Sequence, residues 1–251
     1  MRRLTITLLI ALLGAGVCLA QNNAEMTADE IVDKAEEAYK GETSVGVFTM
    51  KIVRPDYTRQ VTMKAWNKGN EKALVVTKAP KKEAGNKLLK IGNELWQYLD
   101  NTETTMKLPA SMMLNSWNGS DLTYDDMVRE SNLVDDYDLS IMFEEKIAGE
   151  ECWKIKLTPR PEAAVVWGKL YYWVRKSDYL PALVQYYGDD GKLKRTMKFY
   201  DISMMDGRKI PLRWKVIDEE DKGEYTLFIY KDVEFNVDIP DRIFSFRELE
   251  R

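Results

Sequence analysis

The feature that most constrains this chain is a long succession of short alternating segments, each closed by a local turn. Residues 45–53 form the first. Pro55-Asp56 turns the chain into 60–67, then 72–78, which Pro80 ends. Residues 87–91 and 94–99 flank Gly92-Asn93, and 104–108 follow Asp100-Asn101. After a different central stretch the pattern resumes at Ile141. It continues through 151–158, 169–175, 182–187, 192–200, 209–218 and 224–233, with turns at Gly188-Asp189-Asp190-Gly191, Asp206-Gly207 and Lys222-Gly223. Period-two alternation broken by such residues is the mark of antiparallel strands joined by hairpins. About a dozen strands with few helices predict a mainly β fold built on one large curved antiparallel sheet, because a sheet this wide must curl or split to hide its apolar face. No Pro-, Gly- or Ser-rich stretch divides the chain, so residues 21–251 read as one domain.

Two segments depart from the strand pattern. Thr27-Ala28-Asp29-Glu30 is a capping box, after which Ile31, Ala35, Ala38 and Tyr39 recur at helical spacing up to Gly41. The stretch 109–139 alternates poorly and gathers Met112, Met113, Leu114, Trp117, Leu122 and Met127. Thr123 can cap a short helix through Met127, and Asn118-Gly119-Ser120 is a turn that could hinge the segment. We read 109–133 as a helical or looped lid with an apolar side. Residues 244–249 suggest a last helical turn.

The N-terminus is an export signal. Met1-Arg2-Arg3 precedes an uncharged apolar run from residue 4 to 17 that closes in Cys18-Leu19-Ala20. The run is short of the about 20 apolar residues a transmembrane helix needs. Cleavage after Ala20 makes residues 1–20 the signal peptide and Gln21 the first mature residue, in the periplasm. The alternative is a lipoprotein signal that leaves the protein anchored through an acylated Cys18. Val17 argues against it, since a small residue is wanted before such a cysteine.

Composition removes several function classes. The chain has no histidine, which excludes Ser-His-Asp and Cys-His nucleophilic arrangements and the commonest metal ligand. Beyond the signal only Cys152 remains, in a strand context that favours a buried thiol. A net charge of −4 gives no bulk attraction for nucleic acid. We expect no enzyme activity, no cofactor and no metal. The seven Trp and twelve Met are the unusual supply. Met fits variable apolar partners, and Trp and Met at strand spacing equally serve an ordinary filled core.

Five pieces of the chain resemble the outer-membrane lipoprotein-sorting proteins of the LolA-like superfamily. They are LYYWVRKSDYLPALVQYYGDDGKLKRTMKFYDI at 170–202, GSDLTYDDM at 119–127, KIKLTP at 154–159, MDGRKIP at 205–211 and VEFNVDIPDRIFS at 233–245. Their order agrees, and the resemblance covers essentially the whole mature chain. It implies a half-open β-barrel with an N-terminal helix and a helical or looped lid closing its mouth, and acyl chains of lipoproteins or lipids shielded inside. It also implies an inner-membrane transporter as donor and an outer-membrane acceptor, with no nucleic acid. The lid-locking arginine of such carriers has no clear match here. Read through that fold, the cavity lining draws on Trp66, Leu74, Val76, Leu88, Trp96, Tyr98, Met112, Met113, Trp117 and Met127. A one-residue slip would move every strand side chain to the other face. Two other functions stay open: a periplasmic domain that senses lipids or misfolded proteins through a membrane partner, and a structural β domain with a filled core.

Osmotic shock is expected to release a soluble protein whose first residue by N-terminal sequencing is Gln21. Labelling of Cys18 by a palmitate analogue is the contrary outcome.

Overall fold

In the computed structural model the structure describes residues 26–129, 133–163, 165–221 and 223–251. The expected signal peptide, Cys18 and the Ala20–Gln21 junction lie outside them. Helix α1 (Ala28–Lys40) starts at the capping box read in the sequence: Glu30 N donates to Thr27 Oγ1 at 3.2 Å and Thr27 N to Glu30 Oε2 at 2.9 Å. Its buried stripe is Ala28, Ile31, Val32 and Ala35. Val32 takes the place expected for Ala38, so the buried face is rotated toward the helix start. The Tyr39 side chain lies outside the description.

Thirteen strands follow among the described residues: β1 (Thr43–Val53), β2 (Thr58–Lys68), β3 (Lys72–Ala79), β4 (Lys87–Ile91), β5 (Glu94–Leu99), β6 (Thr104–Lys107), β7 (Tyr137–Ile147), β8 (Glu150–Pro159), β9 (Lys169–Arg175), β10 (Pro181–Tyr187), β11 (Leu193–Met205), β12 (Arg208–Asp218) and β13 (Tyr225–Phe235). They form one antiparallel sheet in the order β6-β5-β4-β3-β2-β1-β13-β12-β11-β10-β9-β8-β7. Each strand pairs with its sequence neighbour, except that β1 pairs with β13 at the centre of the sheet. The edges are therefore β6 and β7, which are consecutive in the chain.

The link from β6 to β7 must travel from one edge to the other. It carries single turns at Ala110–Met112 and Trp117–Gly119, then α2 (Tyr124–Arg129) and α3 (Leu133–Asp136). A second capping box starts α2: Thr123 N donates to Asp126 Oδ2 at 2.6 Å and Asp126 N to Thr123 Oγ1 at 3.2 Å. The strand after α3 begins at Tyr137, earlier than the alternation suggested. Only Tyr137 and Leu139 mark its buried side there, too few to stand out next to Asp135-Asp136. No described helix is long and apolar enough to cross a membrane.

The sheet is apolar on both sides. On the concave side Met50, Ile52, Val61, Met63, Ile155 and Met197 join α1 and the crossing segment in the main core. On the convex side of β2–β5 the chain after β13 folds back, and Ile239, Phe244 and Leu249 cover Leu74, Val76, Leu89 and Tyr98. Helix α4 (Phe246–Leu249) ends this strap, and Lys87 Nζ donates to the carbonyls of Glu248 and Leu249 at 3.1 and 2.9 Å. Cys152 is buried in a small convex cluster with Trp173 and Ala182, and burial pushes its thiol pKa up.

Leu249→Ala is expected to cost about 2–5 kcal/mol, the range for emptying a buried leucine site. Urea unfolding should show a lower midpoint with an unchanged slope. A midpoint equal to that of the parent would mean that the strap adds nothing to the sheet.

Candidate functional site

The concave side of the sheet is not filled everywhere. A cavity of about 250 Å³ lies between β1–β3, β11–β13 and the crossing segment. Small side chains make it. In register across three strands, Gly46 faces Ala65, and Ala65 faces Val75. One row nearer the turns, Ser44, Asn67 and Ala73 stand opposite one another. The far wall is aromatic: Trp214 stacks on Phe228 with centroids 3.9 Å apart and planes 8° apart, and on Phe199 at 6.4 Å and 16°. Trp117 and Met127 of the crossing segment close it from above. Exposed Glu42, Gly69 and Asn70 stand at its open end, and the buried Lys90 lies on its wall.

A second space of about 50 Å³ lies deeper, against β9–β11, lined by Leu122, Leu170, Tyr172, Val184 and Met197 among others. Asp126 and Phe199 border both spaces. Asp126 is held there by Arg195 of β11, whose Nη1 donates to its two carboxylate oxygens at 2.9 and 2.8 Å. The pair is shielded, with side-chain exposures of 8% and 10%. The guanidinium also lies over Trp167 at 4.7 Å and Tyr186 at 5.6 Å, geometry that favours a cation on a ring face.

A few residues earlier the crossing segment is fastened by two more arginines. Arg54 contacts Asp121 at 2.9 Å and donates to the Gly119 carbonyl at 3.0 Å, while Thr226 Oγ1 donates to Asp121 Oδ2 at 2.6 Å. Arg59 donates to the Asn118 carbonyl and pairs with Glu83. Asn118 and Gly119 have φ of 52° and 72°, a left-handed pair that reverses the chain at the turn read as a hinge. Trp117, Leu122 and Tyr124 are nevertheless buried in the main core.

The ten residues expected to line the cavity divide by face. Leu88, Met112, Met113, Trp117 and Met127 belong to the concave side, and Trp117 and Met127 touch the larger cavity itself. Trp66, Leu74, Val76, Trp96 and Tyr98 lie on the convex side, under the C-terminal strap. Sequence reasoning missed Phe48, Phe199, Trp214 and Phe228, and the small residues that leave the space. It also missed Arg195 as partner of the crossing segment. Its best signal was a lone arginine on the buried parity of β11, between Leu193 and Met197.

A family model described as "Uncharacterized protein" matches residues 69–251. Among solved structures, a DUF1329 family protein from Desulfovibrio piger has a TM-score of 0.81 at 21% identity, over 88% of this chain and 97% of that one. A LolA superfamily protein from Nitrosomonas europaea has a TM-score of 0.74 at 25% identity, over 89% and 99%. A domain from Vibrio parahaemolyticus described as an outer membrane lipoprotein-sorting protein gives 0.79 at 17% identity, over 89% and 98%. No curated protein matches the chain in sequence.

Asp126→Ala leaves the Arg195 charge buried without its partner and is expected to cost about 3–5 kcal/mol in denaturant unfolding. The Asp126→Ala, Arg195→Met double variant should lose less than the sum of the single variants, with a coupling above about 1 kcal/mol. Strict additivity would show that the pair does not fasten the segment.

Proposed function

The chain belongs to the LolA-like superfamily, and on that premise we propose that it is a periplasmic carrier of acyl chains, taking lipids or lipoproteins between the inner and outer membranes. The observation that carries this reading is the largely apolar, aromatic-walled cavity between sheet and crossing segment. An acyl chain in water costs about 0.8 kcal/mol per methylene. Shielding it requires an apolar surface that can be covered and uncovered. It requires no bond-making step, so the reading is of a binding protein and not of an enzyme. Export by the N-terminal signal would place the protein where such cargo travels. An inner-membrane transporter as donor and an outer-membrane acceptor complete the reading.

The size of the cavity specifies how it would work. Sites that enclose a drug-sized ligand run about 300–1,000 Å³, and the space here is about 250 Å³. A whole acyl chain therefore needs the segment 109–133 to move as a lid. Release of Asp126 from Arg195 would join the larger space to the smaller one, because Asp126 borders both. Met112, Met113 and Met127 on the concave side would then re-pack against cargo, as flexible thioethers do.

Native mass spectrometry of protein purified from the periplasm should find co-purified lipid. Ala65→Leu with Ala73→Leu fills the space from the β2–β3 wall. It should weaken fluorescent fatty-acid binding about tenfold or more and keep the fold, since the added methyls enter a void and not a packed core. A lipid-free parent that takes up no fatty acid would overturn the reading, as would a filled variant that binds like the parent.

A further inference from the structure

The convex side of the other half of the sheet has no strap. Helix α1 and the crossing segment lie on the concave side and the strap covers β3 and β4, while over β8–β13, among the described residues, the convex side keeps only the small buried cluster of Cys152, Trp173 and Ala182. The residues on this bare face are cationic. Cross-strand register gives one continuous row: Lys154 faces Trp173, Trp173 faces Leu183, and Leu183 faces Lys198. Lys198 then faces Lys215, which is followed by Leu227 and, on β1, Lys51. The adjacent row begins Lys156, Tyr171, Gln185 and ends at Tyr225. Neither row holds an Asp or Glu, in a chain where acidic residues outnumber basic ones, 41 to 37. At about 4.8 Å per strand, the first row crosses roughly 30 Å.

Four of these lysines keep their charge uncompensated. Among the described residues, Lys51, Lys156, Lys198 and Lys215 have no carboxylate partner. A ring holds one of them instead: Lys215 Nζ is 3.6 Å from the Tyr225 centroid, and Lys154 Nζ likewise lies 4.6 and 4.7 Å from Trp173 and Tyr171. A ring face orients an ammonium but does not neutralise it. Acidic groups stand at the margins, where Glu145 is 3.8 Å from Lys154 and Asp201 is 3.0 Å from Arg213. Lys198 directly opposite Lys215 is a like-charge pair that costs the sheet stability, so the fold gains nothing from it.

We infer that this face docks on an anionic phospholipid bilayer surface. The charge of the face requires an anionic partner. Its charges are spread along an extended row with the half-buried Tyr171 and Tyr225 beside them, a cationic and tyrosine mix that suits a membrane–water boundary. An acidic protein partner would call for an apolar anchor in a desolvated pocket, and the two cavities described above open on the other side of the sheet. Docking here leaves the cavity on the opposite side of the sheet unobstructed. It does not depend on what the cavity holds.

The test is co-sedimentation with phosphatidylcholine vesicles, with and without phosphatidylglycerol, at low and high salt. The parent is compared with a Lys51→Gln, Lys198→Gln, Lys215→Gln variant that shares its N-terminus. Binding should require phosphatidylglycerol and weaken with salt. It should fall about a hundredfold in the variant, from a factor of about five per lysine. The thermal midpoint should hold or rise, because the opposed lysine pair is gone. Equal binding of the two vesicles, or of the two proteins, overturns the proposal. So does capture of an acidic protein by a chain that binds no vesicle. Fatty-acid uptake by the variant should equal that of the parent. Loss of uptake in both proteins with vesicle binding intact would count against the carrier reading alone.

Discussion

The pairing of β1 with β13 is the contact on which the rest of the molecule depends. Every other strand pair joins sequence neighbours and can form from a local turn. Here the first and last strands meet along ten registered positions with one bulge. The junction is extended by a bond from Glu42 N to Asn236 Oδ1, between residues 194 positions apart. Closing so long a loop has an entropic cost that local hairpins avoid. Two meanders, β1–β6 and β7–β13, become one sheet only when it forms. Once it exists, the edges are β6 and β7, and the chain between them has no route except across a face. The crossing segment is thus a consequence of topology before it is a feature of any site.

That segment is fastened by ion pairs and carbonyl contacts over its middle, from Arg54 and Arg59 at the turn at Asn118-Gly119 to Arg195 at Asp126. A shielded ion pair gives strong geometric definition, while desolvation offsets most of its Coulomb energy. Fastening of this kind holds a segment in one place without the large net stabilisation that apolar packing of equal extent would bring. Apolar packing at Trp117, Leu122 and Tyr124 is interleaved with these contacts. Charge and burial alternate along the same short stretch.

Local chemistry was legible in the sequence and long-range chemistry was not. Strands β4, β5 and β9 have the bounds their alternation and turns indicate, and Thr27 and Glu30 make the capping box their spacing required. Face assignment failed where both faces are apolar. In β3, Leu74 and Val76 alternate with Ala73 and Val75, and the larger pair looks like the core. The C-terminal strap reverses this by burying Leu74 and Val76 from outside. Nothing near β3 in the sequence announces that Ile239, Phe244 and Leu249 return to it. The same long-range pairing hid the aromatic wall, since Trp214 meets Phe228 only through the β12–β13 register.

The cavity persists because its two walls differ in kind. One wall is built around Gly46, Ala65 and Ala73, which have no rotamers with which to fill it, beside Ser44, Asn67 and Val75. The other is the stack Phe199–Trp214–Phe228, whose rings brace one another and cannot swing across without unstacking. Voids cost about 24 cal/mol per Å³ when the surroundings cannot collapse. The space of about 250 Å³ opens past Glu42, Gly69 and Asn70, so water can enter it and its cost is smaller than that of a sealed void. A core under selection for stability alone would remove that cost with larger side chains on β1–β3. Small residues opposite a braced aromatic wall keep the space open, and an apolar guest that entered it would recover the lost contacts as binding energy.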